Sequence, residues 1–354
     1  RTTLHTQDLV VEIDGEMAPA INYRFLCGDI FPGDVVELNT TAMDLELGSG
    51  GVHFVISCMD GHRRERLVAS NTFREPTCDE GHIMKLRYTP LQLATLCVEE
   101  ERSPYHSILT DAESLEAMPV MVASLHSLIA PAAVTFHAHA KKPVRLVYLM
   151  TDGAALPLGF SRLVSALKVQ GLIARTITVG HAFGGDLEAV NVYSGLLAAR
   201  HVFGADACIV AMGPGVVGTG TRFGTTALET ASILDGVNAL KGRAVAVSRI
   251  SFADKRPRHY GLSHHTLTAL GLLSQTRCYL PLPQLSGDED LIIKRQLENA
   301  NLNHHSISWI ATDNTLALLE KYNIRITSMG RGPQDDPAFF RTGGAAGLFA
   351  AKLI

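Results

Sequence analysis

The chain has 354 residues, 46% of them hydrophobic and 19% charged, with a net charge of −4 at pH 7. That length implies two or three domains, and a charged fraction below the usual quarter implies extensive burial, including at a homo-oligomer interface. No polybasic block or basic–aromatic alternation is present and no apolar run reaches membrane-spanning length, which argues against nucleic acid and membrane as partners.

Residues 1–75 read as a small all-β, barrel-like domain. Leu9–Ile13, Ile21–Leu26, Asp34–Asn39, Val52–Cys58 and Arg66–Ala69 are short strand-like runs. Gly28-Asp29, Pro32-Gly33-Asp34 and Gly48-Ser49-Gly50-Gly51 supply turn chemistry between them. Residues 76–118 read as a connecting segment. Within it Lys85, Arg87 and Tyr88 either grip an anion or belong to a strand whose basic side chains point outward. The six cysteines (Cys27, Cys58, Cys78, Cys97, Cys208, Cys278) form no C-x-x-C pair and several lie in apolar runs. With no signal-peptide pattern after Arg1, the expectation is a reduced, cytoplasmic compartment and no cysteine-based zinc site.

From Pro119 to Ile354 short apolar runs alternate with helix-like segments, predicting an α/β domain: a Rossmann-like, mostly parallel sheet with helices on both faces. Strands are expected at Pro119–Leu125, Val144–Met150, Ala174–Val179, Ala207–Met212, Ala244–Ile250, Ser308–Ala311 and Ile324–Met329. Helices are expected over Phe160–Lys168 with Ser161 as cap, on a face bearing Leu187, Val190, Ser194 and Leu197, and over Thr225–Leu240, Leu267–Leu273 and Thr315–Tyr322. The glycine-rich end, Thr342–Ile354, is expected to pack as a close helix. Nearly every strand stops at a Gly, Asp or His cluster. In open parallel sheets the carboxyl ends of the strands are where ligands sit.

The sharpest of these clusters is Gly213-Pro214-Gly215-Val216-Val217-Gly218-Thr219-Gly220-Thr221. It lies between a strand and a helix, where glycines let backbone N–H groups approach an anion. It satisfies G-x-G-x-x-G, but it holds a proline, runs about a dozen residues before the helix, and leads to Arg249 where a dinucleotide fold would carry an acid. It is also no Walker A loop, since no Lys follows the last glycine. Arg249, Arg256 and Arg258 are candidates for clamping phosphate or carboxylate, or else form a solvated basic loop. Asp152 and Asp254 end strands as candidate catalytic acids. His264 and His265 open a helix capped by Ser263, where the dipole favours neutral imidazole. Adjacent helical positions diverge by about 100°, so only one of the pair is expected to face a cleft. His181 and Asp186 are candidate ligands for a divalent metal. The competing reading makes Asp186 a helix N-cap and Glu188 a partner of the helix dipole.

Five strings, Gly81–Pro90, Met150–Pro157, Gly180–Asn191, Gly213–Thr221 and Arg249–Thr266, closely resemble an uncharacterised bacterial family, domain-of-unknown-function family 3866. The resemblance runs through nearly the whole chain and implies no activity, so it carries over no functional residues. From the residues, the expectation is an enzyme, a hydrolase or transferase acting on a small anionic, nucleotide-like or phosphorylated molecule with a divalent metal as candidate cofactor. Asp152, Asp254, His264 and His265 are its catalytic candidates. Gly213, Gly215, Gly218, Thr219, Gly220, Thr221, Arg249 and Arg258 are its ligand-binding candidates. The alternatives are a loop that cradles S-adenosylmethionine or a dinucleotide, and a non-catalytic metabolite-binding or scaffold protein.

Overall fold

The computed structural model describes residues 1–45, 51–59, 81–312 and 314–354, and these fall into two compact units, Arg1–Leu96 and Cys97–Ile354. The division lies inside the stretch 76–118 read above as a connection. The strand expected at Arg66–Ala69, most of the turn at 48–51, Cys78 and Asp313 lie outside the described residues.

The first unit holds a mixed four-stranded sheet of β1 (Thr6–Ile13), β2 (Glu16–Tyr23), β3 (Val36–Asn39) and β4 (His53–Cys58), in the order β1-β2-β4-β3. Asn22 braces its core by donating to Gln7 Oε1 and to the Gly28 carbonyl. A separate hairpin pairs β5 (Ile83–Lys85) with β6 (Leu93–Thr95). Lys85 is fully buried there, which corrects the outward-facing reading.

The second unit is an α/β domain around eight parallel strands. These are β7 (Pro119–Ala123), β8 (Leu146–Thr151), β9 (Arg175–Val179), β10 (Leu187–Ala189), β11 (Ala207–Met212), β12 (Arg243–Val247), β15 (Tyr279–Pro283) and β16 (Ser306–Ile310). Their order is β10-β9-β8-β11-β7-β12-β15-β16. A two-residue hairpin, β13 (Ile250–Ser251) with β14 (Gly261–Leu262), follows β12. The helices are α1 (Ile129–His139), α2 (Arg162–Val169), α3 (Val192–His201), α4 (Glu229–Ala239), α5 (His264–Thr268), α6 (Asp288–Asn299), α7 (Thr315–Lys321) and α8 (Pro337–Ala351). Strand residues alternate between the two faces. Val120, Leu149, Val210 and Ala246 pack with Leu196 of α3, Ile233 of α4 and Ile293 of α6. Met121, Tyr148, Ile209 and Val245 pack with Phe136 of α1, Leu167 of α2 and Phe339 of α8. Among the described residues no helix is long and apolar enough to cross a membrane.

Two of the expected elements are corrected, and one strand was not expected. Leu187–Ala189 is an edge strand rather than helix, and the helix begins at Val192, where Asn191 Oδ1 accepts from the Tyr193 and Ser194 amides. Ile324–Met329 forms no strand. The strand Tyr279–Pro283 went unpredicted because Pro281 and Pro283 argue against an interior strand. Its ladder to β12 is the single pair Val245↔Tyr279, so the two missing N–H groups fall beyond that ladder, while the other edge pairs along its length with β16.

Candidate functional site

The chain leaves β12 through Ser248 and Arg249, and the β13–β14 hairpin closes residues 252–260 into a loop. Asp254 sits at the centre of this turn with its side chain 3% exposed. Arg256 grips its carboxylate through Nε and Nη2 at 2.9 and 2.7 Å, Arg249 Nη2 donates at 3.0 Å, and Arg331 Nη2 lies at 3.5 Å. Asp336 completes the cluster, accepting from Ser251 Oγ at 2.5 Å and from Arg331 Nε at 3.4 Å. The Arg256 guanidinium holds the Asp254 carboxyl well below the usual carboxylate range. An acid held ionised by neighbouring guanidiniums has no proton to give at neutral pH, which argues against Asp254 as a general acid. Its contacts fix the Arg249 and Arg256 side chains in place. Arg249 is itself 4% exposed and tied to Asp254, so it acts from beneath the surface rather than as an open clamp.

The same hairpin brings three histidines together. His259, in the turn before β14, meets His264 and His265 at the start of α5, with ring centroids 5.0, 5.0 and 4.3 Å apart. Each ring offers a nitrogen within 4.8 Å of the others. Both members of the adjacent pair therefore face one place, against the expectation that they diverge. They occupy the first two positions of a five-residue helix, and His259 approaches from outside it. Ser263 Oγ lies 2.8 Å from His259 Nδ1 and accepts from the His265 amide. His264 Nε2, His265 Nδ1 and Arg249 Nε are buried with no hydrogen-bond partner among the described residues. Burial pushes His259 and His265 down to about 3 and lowers His264 as well, with the neighbouring arginines adding to the shift. The imidazoles are neutral, as expected, but burial rather than the helix dipole is the main cause.

An open cleft of about 620 Å³ runs past this cluster, lined by Gly220, Arg222, Arg258, His264, Leu267 and Asn301 among others. Among the described residues neither Arg222 nor Arg258 has a carboxylate partner; Arg222 lies over the Phe223 ring. The glycine loop reaches this cleft by its tip. A Cβ on Gly220 would lie 3.8 Å from the Arg258 guanidinium carbon, and one on Gly218 would lie 4.0 Å from His265 Nε2. The rest of the loop braces itself. The Thr219 amide donates to the Gly224 carbonyl at 2.8 Å, the Thr219 and Thr221 hydroxyls share a hydrogen bond of 2.9 Å, and the Val217 amide donates to Thr226 Oγ1. Gly213 is at the base, where a Cβ would lie 2.4 Å from the Ala155 carbonyl oxygen, and Gly215 has φ +101°. Thus Gly218, Gly220 and Arg258 join His264 and His265, while Thr219 and Thr221 shape the loop.

A second cluster lies where β8, β9 and β11 end. Asp152 Oδ2 accepts from the His181 amide at 3.0 Å, and a Cβ on Gly180 would fall 2.2 Å from that oxygen. Beside it is Glu229, the first residue of α4, which accepts from Thr151 Oγ1 at 2.6 Å. Burial, with the Asp152 charge adding, raises Glu229 to about 7. Its sequence signal was an acid in the first turn after the glycine loop, a place where helix dipoles favour acids anyway. Asp186 is held by Lys168 Nζ and by the Thr176 amide and hydroxyl, and Glu188 accepts from Thr178 Oγ1 and the Gly184 amide. Neither caps a helix, because the segment is a strand. The geometry pairs His181 with Asp152 through a backbone bond and leaves Asp186 to Lys168. His259, which completes the histidine cluster, sat unmarked within the basic run Arg249–His259.

A family model described as "Protein of unknown function (DUF3866)" matches residues 19–347. No curated protein and no solved structure matches the chain.

Proposed function

The chain belongs to the DUF3866 family, and since membership brings no activity with it, we propose from the site alone that it is a hydrolase or transferase acting on a small anionic molecule, nucleotide-like or phosphorylated. The observation that carries the reading is the pair of guanidiniums, Arg222 and Arg258, which have no carboxylate partner among the described residues and lie on a cleft that also exposes the neutral imidazole of His264. Guanidiniums recognise phosphate and carboxylate in bidentate fashion and stabilise charge that develops on them. A neutral imidazole beside them can accept a proton or a metal ion. The cleft volume suits a ligand of nucleotide size. A cofactor cradle for S-adenosylmethionine or a dinucleotide would draw on the loop amides, and those of Val217, Thr219 and Gly224 are already engaged within the loop. The five free thiols among the described residues support a reducing, cytoplasmic setting. The low charged fraction supports a homo-oligomer.

The test is turnover against a panel of nucleoside phosphates and sugar phosphates, with the full chain and its Arg258→Ala variant. The reading expects release or transfer of a phosphoryl, acyl or glycosyl group from at least one compound, with KM raised about tenfold or more in the variant. A panel with no turnover and no ligand-induced rise in unfolding midpoint would remove the reading's support.

A further inference from the structure

We propose that His259, His264 and His265 form a binding site for one zinc-class divalent cation whose remaining coordination position opens on the Arg222–Arg258 cleft. The use of that open position rests on the reading above; the binding of the ion does not.

Four observations carry it. Three imidazoles from two adjoining turns place one nitrogen each within 4.8 Å of the others. Nitrogens sharing a tetrahedral zinc at about 2.0–2.1 Å lie roughly 3.4 Å apart, a difference that side-chain rotation covers. His265 is 5% exposed and His259 2%, so this is an interior cluster rather than a surface coincidence. Among the described residues His264 Nε2 and His265 Nδ1 have no hydrogen-bond partner, and a buried polar atom left so costs about 1–3 kcal/mol. A cation in contact with the cluster relieves that cost. Finally, Ser263 Oγ engages His259 Nδ1 at 2.8 Å, which leaves Nε2 as the ligating atom. That is the outer-shell arrangement by which metal-binding histidines are oriented.

The donor set selects the ion. Three neutral nitrogens and no carboxylate suit zinc, cobalt, nickel or copper and not magnesium or calcium, which demand oxygen. Three protein ligands rather than four match catalytic zinc sites, which keep one position for water or substrate. The neighbouring charge favours an anion there. Asp254 and Asp336 lie against Arg249, Arg256 and Arg331, leaving the local balance positive before Arg258 is added. A dication in that field is stabilised by an anionic fourth ligand, so cation and anion should bind with positive coupling.

The test uses the untagged full chain, stripped with chelator and dialysed against Co²⁺, Zn²⁺ or Mg²⁺. The proposal expects one equivalent of Co²⁺ or Zn²⁺ per chain, no retained Mg²⁺, and the intense visible absorption of four- or five-coordinate cobalt. His265→Gln should lose at least tenfold in Co²⁺ affinity. His264→Gln, at a half-buried position, provides the same measurement if the first variant fails to fold by circular dichroism. Arg258→Ala should keep the full cobalt equivalent. Inorganic phosphate should alter the cobalt spectrum of the wild type and do so more weakly in Arg258→Ala. Retention well below one equivalent, a six-coordinate cobalt spectrum, or unchanged affinity in a folded histidine variant overturns the site. One bound ion whose spectrum ignores phosphate upholds the site and counts against the anionic substrate.

Discussion

Asp254 and Glu229 sit at the same edge of the sheet in opposite surroundings. Arginines surround Asp254 and keep it ionised, so Asp254→Asn leaves the buried Arg249 guanidinium, and the more exposed Arg256, without their counter-charge. Breaking a buried pair in this way costs about 3–5 kcal/mol, measurable by urea unfolding. Glu229 is buried beside the Asp152 charge, and that burial lifts its pKa to about 7 from the ordinary 4.5. Between those values the folded state holds a proton that the unfolded state has released, so this group makes stability fall as pH rises from about 4.5 to 7. Glu229→Gln removes that penalty. The variant should be more stable than wild type at pH 8, on the order of 2 kcal/mol, with the gap closing below about pH 5. An unchanged gap across that range would show that Glu229 is not held protonated. His126 has the opposite linkage. Burial takes it down to about 4, so in the window from there to its ordinary 6.5 stability rises with pH, and the two groups must be separated by variants.

At the scale of elements, α8 lies against α1 through its glycines. A Cβ on Gly347 would fall 2.1 Å from the Ala132 carbonyl oxygen and 2.2 Å from Thr135 Oγ1, and Thr135 donates to the Gly344 carbonyl at 3.0 Å. Gly347→Ala therefore forces the helices apart and should cost about 1–3 kcal/mol, read as a lowered urea midpoint at unchanged m. The close packing of this end was legible in its run of small residues, and so were the strands whose apolar runs end in glycine. What could not be read is where local pattern and tertiary pairing disagree. Leu187–Ala189 has a helix-like approach yet adds to the edge of β9, and that edge is what buries Glu188 and fixes it to Thr178. The prolines of β15 hide a strand that only its neighbours define. The histidines were visible singly. Their convergence depends on the local β13–β14 hairpin, which pairs only two residues on each side and so leaves no alternating apolar run to mark it in the sequence.

For the whole molecule, both large hydrophobic clusters of the α/β unit lie within Cys97–Ile354, on the two faces of one sheet. A fragment of those residues is expected to unfold in a single cooperative transition, monitored by circular dichroism, and to keep the histidine cluster. A fragment without cooperative unfolding would mean that the first unit is needed to complete the second. The sheet's carboxyl edge was legible as a place where polar loops collect, because strand direction sets where they gather. The division of labour along that edge was not, since it follows from which carboxylate meets which arginine. The central claim is that Arg222 and Arg258 bind an anion in the cleft beside His264, and the most direct measurement is calorimetric titration with inorganic pyrophosphate. Saturable binding that weakens about tenfold or more in Arg258→Ala, about 1.4 kcal/mol, is the predicted result. No saturable binding, or equal affinity in the folded variant, would contradict it.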